Sequence, residues 1–79
     1  MPHDQVVIEE LARKYLTIPE EEVVQEYLLD NRTSDAKRCL LAKIDLLWDN
    51  RDMIDREALL VYQKLGVRPR DCFLQPHPL

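Results

Sequence analysis

Seventy-nine residues, of which 46 % are hydrophobic and 33 % charged, suffice for one small domain and are too apolar for a disordered chain. The net charge is −4, with eight acidic and two basic side chains in residues 1–30 and seven acidic and nine basic ones in residues 31–79. Because residues 1–30 are acidic, the chain is not expected to bind nucleic-acid phosphates in general, since such binding requires clustered Lys and Arg.

The first residues lack the basic and apolar regions of a secretory signal peptide. No apolar run approaches the ~18 residues that a membrane-spanning helix needs. Two cysteines, Cys39 and Cys72, are too few for a disulfide framework. These features predict a cytoplasmic protein without a membrane segment.

No stretch of the chain alternates β-branched with polar residues, so no β-strand is predicted. Residues 20–65 contain neither glycine nor proline, and nothing in them interrupts a helix. The first helix is predicted from about Asp4 to Leu16. Its apolar residues have the spacing of one helical stripe: Val7, Ile8, Leu11, Ala12 and Tyr15.

A second helix is predicted after Thr17, which has Glu20 three residues later and so matches a capping box. Pro19 falls in the first turn, where a missing amide proton removes no hydrogen bond. The helix continues to about Leu29. Its apolar stripe consists of Val23, Val24, Tyr27 and Leu28.

A third helix is predicted to follow a cap at Thr33 or Ser34 and to end at about Asp49. Its central line is predicted to contain Ala36, Leu40, Ile44 and Leu47, with Leu41 and Trp48 on one flank and Cys39 and Leu46 on the other. This apolar stripe is wider than one neighbouring helix covers. The third helix is therefore either the central helix of the domain or the one that meets a partner.

A fourth helix is predicted to begin after a cap at Asp55, with Ile54 and Leu59 as a hydrophobic staple, and to stop at Gly66. Three prolines between residues 68 and 79 exclude a helix there and favour an extended path. The predicted fold is all-α: a compact bundle of about four short helices over residues 1–67, then an extended, proline-containing C-terminal tail over residues 68–79. This tail either packs on the bundle or stays extended.

Catalytic and metal sites have little support in the sequence. The two histidines, His3 and His77, lie near opposite ends, and no His or Cys pair has the close spacing of a structural zinc site. Neither cysteine has a neighbouring base that would make it a nucleophile. We therefore expect no enzyme, no metal site and no cofactor.

Trp48, the only tryptophan, is the main candidate for partner binding, because tryptophan and arginine are enriched at interface hot spots. In that role Trp48→Ala would keep its fold and lose binding. The alternative is that Trp48 closes the core between the third and fourth helices. The other candidates for protein binding are Leu41, Arg51, Arg68, Arg70, Phe73 and Leu74. Phe73 and Leu74 either cover the open face of the bundle or form an extended ligand for a groove on a partner.

The predicted function is a small non-catalytic protein-binding module: a regulator, adaptor or inhibitory subunit that docks on a larger protein, or a homodimer. The alternative is a DNA-binding regulator of the helix-turn-helix type, because Lys37, Arg38 and Lys43 project from the third helix after a short polar turn. The turn lacks the usual glycine, however, and DNA phosphates would repel the acidic second helix. Nucleic acid is therefore not the expected partner.

Overall fold

The computed structural model describes residues 2–68, which form four α-helices: α1 Pro2–Tyr15, α2 Ile18–Leu29, α3 Thr33–Asp49 and α4 Asp55–Leu65. No strand occurs within this range. The prediction of an all-α fold with four helices is confirmed, and each predicted boundary lies within two residues of the observed one. The predicted tail beyond residue 68 lies outside the described residues.

Helix α3 is the central helix. It packs against α1, α2 and α4, and α1 also contacts α2 and α4, whereas α2 and α4 do not contact each other. The core lies along α3 and consists of the buried residues Ile8, Leu11, Ala12, Val24, Leu28, Ala36, Leu40, Ile44, Trp48, Met53, Ala58, Val61, Tyr62 and Leu65. Among the described residues, no helix is long and apolar enough to cross a membrane.

The end of the buried line on α3 differs from the prediction. Successive buried residues are four apart, so the line continues from Ile44 to Trp48, and Leu47 is only half-buried. At this end α4 covers the side of α3 on which Trp48 lies. The prediction that Leu47 completes the line and Trp48 lies on a flank is therefore wrong.

The capping box of α2 is confirmed. The Glu20 amide donates to Thr17 Oγ1 at 3.4 Å, and the Thr17 amide donates to Glu20 Oε1 at 2.9 Å. These two bonds satisfy amides that a helix N-terminus otherwise leaves without an intrahelical acceptor. The sequence of this turn therefore fixes where α2 begins.

The predicted caps of α3 and α4 are wrong by one or two positions. Arg32 precedes α3 and Ile54 precedes α4, and neither side chain forms a capping hydrogen bond. Asp55 is the first residue of α4, and its carboxylate binds the indole of Trp48 instead. Ile54 is 67 % exposed and does not form the predicted staple with Leu59. The buried residues at the start of α4 are Met53 and Ala58, each one residue before the predicted partner.

Helices α2, α3 and α4 all end in the same motif, in which a left-handed residue lets the following amide bond the carbonyl five residues before it. The left-handed residues are Asn31, Arg51 and Gly66, with φ of 61°, 62° and 68°. The closing bonds run from Arg32 to Tyr27 at 2.8 Å, from Asp52 to Leu47 at 2.8 Å and from Val67 to Tyr62 at 3.0 Å. The stop at Gly66 was predicted, because glycine adopts this conformation without steric cost.

Candidate functional site

Trp48 is 5 % exposed and lies between α3 and α4. Its indole Nε1 donates to Asp55 Oδ1 at 2.6 Å, and its ring centroid lies 6.1 Å from that of Tyr62 with the planes tilted by 54°. The apolar ring of this side chain is thus buried within the domain, and its polar N–H is hydrogen-bonded within the domain. Trp48 is a core residue, and its contact with a partner stays a prediction.

The other predicted binding residues do not form one site. Exposed Arg51 lies beside Trp48 in a depression between the end of α3 and the start of α4. Half-buried Leu41 lies in a separate depression on α3, next to Val67, and exposed Arg68 follows. Arg70, Phe73 and Leu74 lie outside the described residues.

Each basic residue that suggested a DNA-reading helix has an acidic neighbour. Lys37 Nζ lies 3.5 Å from Asp4 Oδ2 on α1. Arg38 Nη1 lies 3.8 Å from Asp35 Oδ1 on α3, and the third residue, Lys43, is paired with a glutamate of α2. These carboxylates reduce the positive potential that phosphate binding requires.

An apolar groove between α2 and α3 was not predicted as a site. It is lined by Leu16, Glu20, Val23, Val24, Cys39, Ala42, Lys43 and Leu46. Val24 is fully buried, whereas Val23 is 46 % and Leu46 54 % exposed. The groove therefore presents grouped apolar side chains to solvent. We call it the α2–α3 groove.

The α2–α3 groove results from the way the helices pack. Helix α1 contacts both α2 and α3 and so covers one side of this helix pair, while α4 contacts α1 and α3 but not α2. Leu16, the residue after the end of α1, also lines the groove, so α1 borders it at one end. Residues four apart on α3, such as Ala42 and Leu46, share one face and line the groove there.

The charged residues that line the groove form one ion pair, and the further acidic residues near it belong to α2. Lys43 Nζ lies 3.2 Å from Glu20 Oε1, so this lysine is paired across the groove. The backbone amide of Thr17, and then Lys43, hold the pKa of Glu20 below its ordinary value. Helix α2 carries Glu20, Glu21, Glu22 and Glu26 and has no Lys or Arg. The α2 edge of the groove is therefore negative.

The sequence did contain a signal for this groove. Cys39 and Leu46 lie on one predicted flank of the third helix, whose apolar stripe is too wide for one neighbour. The excess apolar surface is on that flank, not on the flank that was assigned Trp48. What the sequence could not show is which side of α3 is left uncovered, since this depends on where α1 and α4 pack.

A second groove, between α1 and α4, contains the pair Tyr15–Glu57. The Tyr15 hydroxyl donates to Glu57 Oε2 at 2.7 Å. Burial of the hydroxyl, followed by its hydrogen bond to Glu57 and the negative charge of that residue, raises the pKa of Tyr15 to about 12. The Tyr15–Glu57 hydrogen bond joins α1 to α4, and we interpret it as a structural contact.

We expect the domain to lose stability between about pH 10 and pH 12 because of Tyr15. Its pKa is about 12 in the folded domain and 10.0 in a free tyrosine, so the folded state holds this proton more tightly. The stabilisation is complete below pH 10 and is lost as the pH rises through about 12. Urea unfolding at both ends of this window should show a larger loss for the wild type than for Tyr15→Phe. Equal losses would contradict this assignment.

Within the described residues, no group of three or more His, Cys, Asp or Glu side chains could hold a metal ion. The described residues also bury no charged side chain. No family model, curated protein or solved structure matches this chain.

Proposed function

We propose that this chain is a small non-catalytic protein-binding module that docks on a larger protein through the α2–α3 groove. The observation that carries the proposal is the grouping of exposed Val23 and Leu46 around an apolar floor. Single exposed apolar side chains are normal on a protein surface, whereas contiguous apolar patches are often interaction sites. A role as a regulator, adaptor or inhibitory subunit is consistent with such a surface.

The titratable groups support a non-catalytic role. General acid–base catalysis requires a side chain whose pKa is tuned to a reaction and which is held near a substrate. The shifted pKa values in the described chain have structural causes: a capping box at Glu20, burial and a hydrogen bond to Glu57 at Tyr15, and a hydrogen-bonded ion pair with Asp35 at Arg32. We attribute them to the fold.

A cytoplasmic location belongs to the same proposal. The structure contains the free thiol of Cys39, half-buried beside the groove. Thiols stay reduced in the cytosol, whereas oxidising compartments favour disulfides. Fractionation of cells that express the tagged chain would test this location.

Replacement of Leu46 by lysine should weaken partner binding at least tenfold, because a charge in the groove opposes the burial of apolar side chains. The matched control is Leu60→Lys on α4, where the side chain is 48 % exposed and lies in the α1–α4 groove. Both variants should keep the helical circular dichroism. The measurement is the amount of partner that each tagged full-length variant retains from lysate of the native cell. Equal retention by wild type and Leu46→Lys would refute the assignment of this surface.

A photo-crosslinking residue at position 46 identifies what lies in the groove. We expect a crosslink to another protein from position 46 and none from position 60 in the same lysate. The adduct mass distinguishes a different protein from a second copy of this chain. A crosslink from position 60 alone would move the interaction to the α1–α4 groove.

A further inference from the structure

We propose that the occupant of the α2–α3 groove is a basic amphipathic α-helix of the partner protein. This inference rests on the proposed function and adds the chemistry of the ligand. Three features of the described residues carry it: the position of the groove between two adjacent helices, the length of its apolar floor and the negative charge of α2.

The position of the groove favours a helix. Helices α2 and α3 are neighbours joined by a short turn, and α1 lies against both of them on one side. In helical bundles, a further helix packs on the surface between two adjacent helices. A partner helix in the α2–α3 groove would pack along both helices and add a further helix to the bundle. Amphipathic helices bind other proteins in apolar grooves in the same way.

The length of the groove determines how many apolar side chains of a partner helix can contact it; we call these side chains anchors. On α3 the groove extends from Cys39 to Leu46. These seven steps correspond to about 10.5 Å along the axis of a helix. An incoming helix presents apolar residues at i, i+3 or i+4, and i+7 over the same distance. The partner helix is therefore expected to contribute two or three apolar anchors.

The negative charge of α2 predicts which charged residues flank the apolar face of the partner helix. Glu22 and Glu26 are both exposed, and because they are four residues apart they lie on one face of α2. Glu26 is also one turn after Val23, which lines the groove. Lys43 is paired with Glu20, so it does not offset the charges of Glu22 and Glu26, which lie on α2 next to the groove lining. Lys or Arg on the flank of the incoming helix would complement this edge, and Asp or Glu would be repelled.

The same charges disfavour a second copy of this chain as the occupant. A two-fold dimer brings one surface patch against itself. A dimer through this groove would bring two α2 helices, each with four glutamates and no basic residue, into one interface. A basic partner helix instead reduces the net charge of −4 that the chain carries.

Binding of model peptides to the full-length chain tests this inference. The probe is a labelled helical peptide of about 18 residues with Leu at i, i+3, i+4 and i+7 spacings and Lys at the remaining positions. Fluorescence anisotropy at physiological salt should show binding at least tenfold tighter than for two control peptides. One control replaces every Lys by Glu, and the other keeps the composition but scrambles the Leu positions.

Three variants locate the peptide. Leu46→Lys and the double variant Glu22→Lys/Glu26→Lys should each weaken binding at least tenfold, whereas Leu60→Lys should leave it unchanged. The glutamates are exposed, so their variant keeps the test decisive if Leu46→Lys fails to fold. Weakening in the glutamate variant should shrink at high salt, since salt screens exposed charges.

Other outcomes would overturn the inference. Equal affinity for the Glu peptide, equal weakening by Leu60→Lys or no binding to the full-length chain would each contradict a basic helix in this groove. A dimer in sedimentation that Leu46→Lys dissociates would make a second copy the occupant. If position 46 crosslinks to another protein while the Lys peptide fails to bind, the proposed function stands and only this inference is lost.

Discussion

Leu40→Ala is expected to lower the free energy of unfolding by about 2–5 kcal/mol. Leu40 is fully buried at the centre of α3, one turn from Ala36 and Ile44, which are also fully buried. Because α3 packs against all three other helices, no single helix can move to fill the cavity without losing contacts elsewhere. A single hydrophobic core of this size seldom supplies more than about 3–5 kcal/mol of net stability. Urea unfolding followed by circular dichroism should show a variant that is marginally folded or unfolded.

Leu46→Ala is the matched control for this experiment. It removes the same atoms from the same helix six residues later, on another face, where the side chain is more than half exposed. We expect its stability to stay within about 0.5 kcal/mol of the wild type, as is usual for surface positions. If the two alanine variants lose the same free energy, α3 does not have the buried and exposed faces described above.

The helices themselves could be predicted from the sequence because their signals are local. The capping box at Thr17 and the glycine at position 66 each depend on residues within one turn, and both are observed. The predicted starts of α3 and α4 are wrong because the residues that precede these helices, Arg32 and Ile54, have no capping side chain. Thr33, Ser34 and Asp55 are better capping residues, and the prediction therefore placed the caps there. Asp55 has the right chemistry for a cap but uses it for Trp48.

The candidate site was harder to predict because it depends on helix packing. Periodicity shows that α3 is apolar over more than one face, but it does not show which face remains exposed. Two details decided this outcome. Trp48 continues the four-residue spacing of the buried line and is covered by α4. Leu46 instead lies with Val23 in the α2–α3 groove, where both side chains remain about half exposed. A large aromatic residue on an apparent flank was therefore a misleading guide to the exposed surface.

Trp48→Ala should lower the free energy of unfolding by about 3–5 kcal/mol, as much as Leu40→Ala. The substitution removes a buried ring that packs near Tyr62, and it removes the hydrogen bond from the indole to Asp55. This expectation departs from the hot-spot hypothesis, in which Trp48→Ala keeps the fold and loses only binding. Urea unfolding of both alanine variants, side by side, compares the two readings directly.

Two further variants separate the packing of Trp48 from its hydrogen bond. Asp55→Ala removes the carboxylate that accepts this hydrogen bond from a buried donor, so it should lower the free energy of unfolding by about 1–3 kcal/mol. Trp48→Phe keeps most of the apolar volume and should fall between Asp55→Ala and Trp48→Ala. If Trp48→Ala instead unfolds at nearly the wild-type urea concentration while partner binding falls at least tenfold, the ring acts mainly at an interface. In that case the binding surface extends from the α2–α3 groove to the end of α3.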